Sequence, residues 1–455
     1  MDLKQIANDI PDYAVFMTID ELNASSHQLV KDFPELASIR VVGHTRKGDP
    51  IELLTIKGGE QQAFIFGGPH PNEPIGTMTI EYLSRKLCED AALREELGYT
   101  WHFIKSIDSD GMRLNEGWFK GPYTPTNYAR HYYRPEPAAQ VEWTFPVDYK
   151  TLHFHKPLPE TEALMRVIDE IKPRFMYSLH NAGFGGVYYY VSRACQPLYD
   201  LFHELPDWFG LTLDLGEPET SAAVELAPAI YKMLSAQDDY DHLEKLGIPD
   251  PASQMTAGNS SEAYARPYGT FSLVVEMPYY DEPRVNDQTV TKVTRRQALT
   301  QKLDRSDALG NWMESRLDKA QPYLRIQSSV RSAAETFVRL AVGWRDHERK
   351  FVETNPDMER LATQAELFSA QSAFFYQYLI LGMFARLFNA EVAAGNTEPI
   401  IAEIAAEGTQ KLADEGAAFE AELNYRALPI RGLVGVQVCA GLATADYLRN
   451  TVTAV

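Results

Sequence analysis

The chain has 455 residues, of which 45% are hydrophobic and 23% charged, and its formal net charge is −20. That length exceeds one ordinary core and suits a large α/β catalytic domain with a smaller second unit. So acidic a surface repels phosphate backbones and anionic lipid, so neither nucleic acid nor a membrane is an expected partner.

In chain order, Thr18-Ile19-Asp20-Glu21 has capping-box spacing and opens a helix to about Lys31, which Pro34 ends. Ile39 to Gly43 and Ile51 to Ile56 are β-rich runs joined by Lys47-Gly48-Asp49, which predicts a hairpin. Gln62 to Phe66 is a short apolar strand that stops at Gly67-Gly68, and a helix follows from about Ile75 to Cys88. Trp101 to Ile107 is the next strand. Residues 115–150 fit neither period and read as a long ordered loop over a site. An amphipathic helix, Glu160 to Ile171, precedes a strand from Arg174 to Leu179, and Phe271 to Val275 is a further strand. Strands alternating with helices predict a doubly wound, mixed but mostly parallel sheet with helices on both faces.

After about residue 286 the pattern is helical only. Asn355 as cap with Pro356 in the first turn starts one helix, whose seam runs Leu367, Phe374, Tyr378, Leu381 and Phe388. Gly395 to Pro399 is a stop and a restart. The expected division is a catalytic domain over 1–325 and an all-helical extension over 326–455. The apolar seam reads as the extension's own core; a homo-oligomer interface or a wall of the active-site cleft are the alternatives. Its most apolar run, Phe374 to Phe388, is too short to span a bilayer. Cys88, Cys195 and Cys439 are far apart and odd in number, which argues against a disulfide framework. With no basic region and apolar core at Met1-Asp2-Leu3-Lys4-Gln5, a cytoplasmic location is expected.

Gly67-Gly68-Pro69-His70-Pro71-Asn72-Glu73-Pro74 carries the strongest chemical signal. A catalytic zinc ion takes imidazole nitrogen and carboxylate oxygen from three protein ligands and keeps one position open. His70 and Glu73, three residues apart on a turn just past a strand, can reach one ion from one side. Ligand sites of open α/β sheets lie at such strand ends. The spacing is weak evidence alone, since 11 histidines give about one His-x-x-Glu by chance. His180 follows the strand Met176 to Leu179 and is the expected third ligand. His153 and His155 compete, but no strand precedes them, and a solvated or loop-packing role is expected. Glu276 ends the strand Phe271 to Val275, where a carboxylate is unusual unless exposed or used; it is the expected general base.

These residues, in this order, resemble the signature of the zinc metallocarboxypeptidases, the carboxypeptidase A-like family: His-x-x-Glu, a later His after a buried strand, and a catalytic Glu near the end of the domain. Phe16 to Leu22, Phe33 to Leu36 and Val42 to Ile51 are similar to the family's N-terminal pattern, and Asp108-Ser109-Asp110-Gly111 to its Asn-Pro-Asp-Gly turn. The resemblance covers about residues 10–320. It implies Zn2+ as cofactor, a peptide or small amide as substrate, and Glu276 taking a proton from the attacking water. It also implies a cation for the oxyanion, expected from Arg130 (catalytic) and Arg134 (substrate-binding).

Two departures stand out. Where the family clamps a terminal carboxylate with Asn-Arg, Gln140 to Pro146 has Glu142 and Trp143, and an acidic residue there would repel a free carboxylate. The family's mobile Tyr is represented only by Tyr264 or Tyr268. His180-Asn181 also resembles related N-acyl amino acid deacylases, so a small amide deacylase is the alternative hydrolase. A zinc-binding protein without activity is the other class, and a helical assembly module with a vestigial catalytic domain is a third.

Overall fold

The computed structural model describes residues 1–451, apart from the side chains of 341–347. Fourteen strands are present among them: β1 (Ala37–His44), β2 (Pro50–Ile56), β3 (Gln61–Gly67), β4 (Tyr99–Ile104), β5 (Val147–Tyr149), β6 (Leu152–Phe154), β7 (Phe175–Phe184), β8 (Tyr188–Val191), β9 (Val224–Ala227), β10 (Ile230–Lys232), β11 (Phe271–Asp281), β12 (Val290–Thr294), β13 (Leu361–Thr363) and β14 (Arg426–Ala427). Ten form one mixed sheet in the order β1-β2-β4-β3-β7-β11-β8-β10-β9, with β14 added to β11. At its centre β4, β3, β7 and β11 run parallel. The predicted hairpin is β1–β2.

Strands β3, β7 and β11 are buried along almost their whole length. This is the pattern of strands covered on both faces. Alternation sends successive side chains to opposite layers. Phe64, Phe66 and Met176 pack with Leu164, Val167 and Ile168 of the helix Pro159–Ile171 on one face. Ala63, Ile65, Tyr177, Leu179, Leu273 and Val275 face the other layer.

The C-terminal helical region contributes to that second layer. The C-terminal helix Ile430–Asn450 lies in it, packed against the helix Ile75–Glu89 and against β7 and β11. Its Leu433, Val436, Ala440 and Leu448 share one core with Ile6 and Phe16 near the N-terminus. Residues on both sides of position 325 therefore build the same core.

Three local expectations change. Strand β11 continues past Glu276 to Asp281, through Pro278. The proline is tolerated because the antiparallel ladder with β8 ends at Glu276 opposite Tyr188, so no N–H is demanded at Pro278 on that side. Strand β7 likewise continues through His180 to Phe184. The helix read from Asn355-Pro356 is only the 3-10 turn Pro356–Glu359, after which β13 pairs with β12. The apolar seam is split between the helices Gln364–Ser372, boxed by Thr363 and Glu366, and Phe374–Ala393. The stop before Pro399 is present, since the helix Pro399–Glu422 starts there. Residues 115–150 are ordered as short turns around the helix Pro125–His131, with Trp118, Tyr128, Tyr132 and Tyr133 buried. All three cysteines are buried and free. Among the described residues, no helix is long and apolar enough to cross a membrane.

Candidate metal centre

The parallel core brings the chemistry to one edge. Beyond β3 the chain turns at Gly68, whose φ of +61° suits glycine; a Cβ there would meet Met112 at 2.7 Å. The helix Ile75–Glu89 then starts against β7, with Gly76 so close to Leu179 that a Cβ would lie 2.5 Å from its side chain. This close approach sets the turn carrying His70 and Glu73 beside His180. Donor atoms of His70, Glu73 and His180 all lie within 4.8 Å of one another, and all three residues are buried. The two imidazoles meet edge to face at 4.9 Å between centroids. Glu276 is aligned with His180 on the neighbouring parallel strand, so both side chains point to the same face.

Each donor is held from behind. Glu73 Oε2 accepts from the Asn181 N–H at 3.1 Å and lies 3.3 Å from His180 Nδ1. Its other oxygen accepts from Arg134 Nη1 at 3.1 Å, and Arg134 Nε donates to Gln140. On the far side of the His180 ring, Nε2 lies 2.9 Å from Ser178 Oγ, and the Ser178 hydroxyl donates to Glu142 Oε2 at 3.3 Å. Glu142 Oε1 accepts from the Ser261 N–H at 3.0 Å and hydroxyl at 2.8 Å. Ser178 and Glu142 thus hold the His180 ring from the side away from Glu73, as an outer partner orients a ligating histidine.

The electrostatics suit a cation. Burial, then the charges of Arg134 and His180, push the His70 imidazole well below its ordinary pKa, which keeps it neutral. Its Nδ1 is buried with no hydrogen-bond partner. Burial also pulls the His180 pKa down, but Glu73, with Glu276 and Glu142, outweighs it and raises it to about 9. Burial, partly opposed by His180 and reinforced by Glu219 and Glu73, drives Glu276 well above the usual carboxylate range. Two imidazole nitrogens and one carboxylate oxygen, ringed by further carboxylates, form a donor set of the kind that holds zinc.

Other expected site residues lie elsewhere or turn differently. Arg130 is exposed on the helix Pro125–His131 and pairs with none of these groups; Arg134 is the cation at the cluster. Tyr264 and Tyr268 both donate to Asp169 on the surface of the helix Pro159–Ile171. Neither is drawn to the cluster, because Asp169 holds both hydroxyls. Glu142 turns its carboxylate to Ser178 and Ser261. It is buried behind His180, where the two serine partners offset its desolvation. Trp143 instead stands at the surface, its ring 6.3 Å from that of His70.

Several supporting residues escape the sequence reading. Ser178 was reachable in principle, being two residues before His180 and on the same strand face. Asn181 caps the approach of the helix Ile75–Glu89 through its Oδ1, which accepts from the Ile75 N–H at 3.2 Å and from Tyr279 at 3.2 Å. Ser261 and Gln437 have no local signal. The C-terminal region also reaches the site: Phe375 packs against Gly183 and Phe184, and Tyr376 lies within reach of the charges of Glu276, Arg134 and Glu73.

A buried two-histidine, one-carboxylate group at the edge of a parallel core, with a further carboxylate beside it, defines a metallohydrolase-type centre. The family model described as zinc carboxypeptidase matches residues 22–279, more than half of the chain, and the chain belongs to that family. Zinc is the cofactor that membership implies. Carboxypeptidase B of Astacus astacus is 31% identical over 105 residues, 22% of this chain and 35% of that protein. The match thus spans about a third of the curated relative's length. Among solved structures, carboxypeptidase A from Helicoverpa armigera is 15% identical, with a TM-score of 0.39 over 58% of this chain and 65% of that one. A metallo-carboxypeptidase from Burkholderia cenocepacia is 17% identical, with a TM-score of 0.35 over 58% and 60%.

Proposed function

We propose that the protein hydrolyses a peptide or amide bond in a carboxypeptidase-like way, with His70, Glu73 and His180 holding zinc and Glu276 as general base. The observation that carries this reading is the convergence of three buried donors with Glu276 aligned beside His180. Zinc in that position supplies Lewis acidity toward the scissile carbonyl and makes water a better nucleophile.

The chain's own residues do the rest. Glu276 accepts the proton of the attacking water and passes it to the leaving nitrogen; burial raises its pKa above that of an ordinary carboxylate, so it is a stronger base than a solvated Glu. Arg134 fixes Glu73 and is the one cationic side chain paired to the donor group among the described residues. Ser178 and Glu142 hold the His180 ring in its orientation. Trp143 offers an aromatic wall beside His70. The segment 140–146 carries no cation, so a substrate's free carboxylate finds no dedicated clamp there.

The test is hydrolysis of paired peptides, C-terminally free and C-terminally blocked, with zinc counted in the same sample. One zinc per chain at this centre, with turnover lost on chelation and restored by zinc, supports the reading. Zinc-loaded protein inactive on both peptide sets and on N-acyl amino acids overturns it.

A further inference from the structure

A second group of potential metal donors lies outside the centre above. Strands β5 and β6 form a short antiparallel hairpin in which Asp148 stands opposite His153. His155 follows two residues later, and so emerges on the same side as His153. His153 Nδ1 lies 2.8 Å and His155 Nε2 2.9 Å from one and the same oxygen, Asp148 Oδ1. The three donor atoms all lie within 4.8 Å of one another, and the side chains are more than half exposed.

The hairpin is anchored rather than loose. Val147 and Leu152 pack on Ala236 and Tyr240. Tyr149 donates to Asp241 at 2.9 Å, and Thr151 meets the Tyr240 hydroxyl at 3.0 Å. Lys150, on the turn of the hairpin, pairs instead with Asp241 and Glu244. Among the described residues, Asp148 has no Lys or Arg partner; its ion pairs are the two histidines alone.

We propose that Asp148, His153 and His155 form a second, surface binding site for a divalent transition ion of the zinc type. Two imidazoles and a carboxylate suit zinc, cobalt, nickel or copper, whereas magnesium and calcium demand mostly oxygen donors. The three side chains already converge on one point, so little ordering is needed to take the ion. Remaining coordination positions face solvent. A bound ion cross-links the two strands of a hairpin that continues directly from the segment holding Glu142 and Trp143.

The test counts zinc. Metal-stripped full-length protein is dialysed against Zn2+ and bound metal is measured for wild type, H153A/H155A and H70A. H153A/H155A should bind one ion fewer than wild type, and D148N should weaken that ion by at least about 10-fold. Zinc should raise the Tm of H70A, and should not raise that of H70A/H153A/H155A. Mg2+ at the same concentration should leave the Tm of H70A unchanged. Equal metal content in H153A/H155A and wild type overturns the proposal. Equal content in H70A and wild type instead removes the proposed catalytic centre and leaves the hairpin site standing. Because His153, His155 and Asp148 are exposed, an unchanged metal-free Tm of H153A/H155A and D148N checks that the fold is intact.

Discussion

The Gln437 side-chain amide donates to the backbone carbonyl of His180 at 2.9 Å, although 257 residues of chain separate them. The same amide reaches the Val275 carbonyl at 3.3 Å, next to Glu276, and its oxygen accepts from the Thr79 hydroxyl at 2.7 Å. A fully buried side chain of the last helix thus ties together the strands bearing a candidate ligand and the candidate base. The part of the chain beyond the family match is built into the site from below.

Replacing Gln437 by leucine keeps the apolar volume but strands the Thr79 hydroxyl and two carbonyls. Unpaired buried polar groups cost about 1–3 kcal/mol each. Q437L should lose about 3 kcal/mol or more in urea unfolding, the lower end of that range for each of the three groups. A loss below about 0.5 kcal/mol, the range of surface substitutions, would show that the link carries no weight.

E276Q separates proton transfer from metal holding. Glutamine preserves shape and cannot take the proton, so turnover should fall by roughly 100- to 10,000-fold. Zinc content should stay at the wild-type level, because Glu276 is not among the three converging donors. Near-normal activity in E276Q would assign the base elsewhere.

The two arginines read from the same segment should behave oppositely. Arg134 holds Glu73 at 3.1 Å, and R134A should weaken zinc by about 10- to 100-fold, as loss of an outer partner does. R130A, at an exposed position on its helix, should leave zinc affinity and turnover unchanged. Competition against a chromogenic chelator measures both; equal effects would contradict the placement.

Asp108, which is not among the three converging donors, gives a pH signature of its own. Burial raises its pKa from 3.8 to about 6, against the pull of Arg46 and the Gly111 N–H. The folded state therefore holds this proton more tightly than the unfolded one. The resulting stability is complete below about pH 4 and is lost as pH rises through about 6. D108N lacks this titration. Wild-type stability relative to D108N should fall by roughly 2–3 kcal/mol between pH 4 and pH 7. Parallel stability–pH curves for the two proteins would rule the account out.

Local pattern carried much of this protein. The Thr18 capping box, the β1–β2 hairpin, the buried strands β3, β7 and β11, and the order His70, Glu73, His180, Glu276 all lie in short stretches of sequence. Periodicity and turn chemistry report on such stretches because the forces that set them act between near neighbours. Where Glu276 falls along β11 was less legible, since Met277-Pro278 reads as a strand end until the β8 ladder is known to stop there. Only tertiary packing decided that Glu142 turns inward to Ser261, that Tyr264 is held by Asp169, and that Gln437 lies under His180. Those contacts join residues from about 95 to more than 250 positions apart, and their partners are chosen by burial and by the need to satisfy polar groups away from water, which no local stretch encodes.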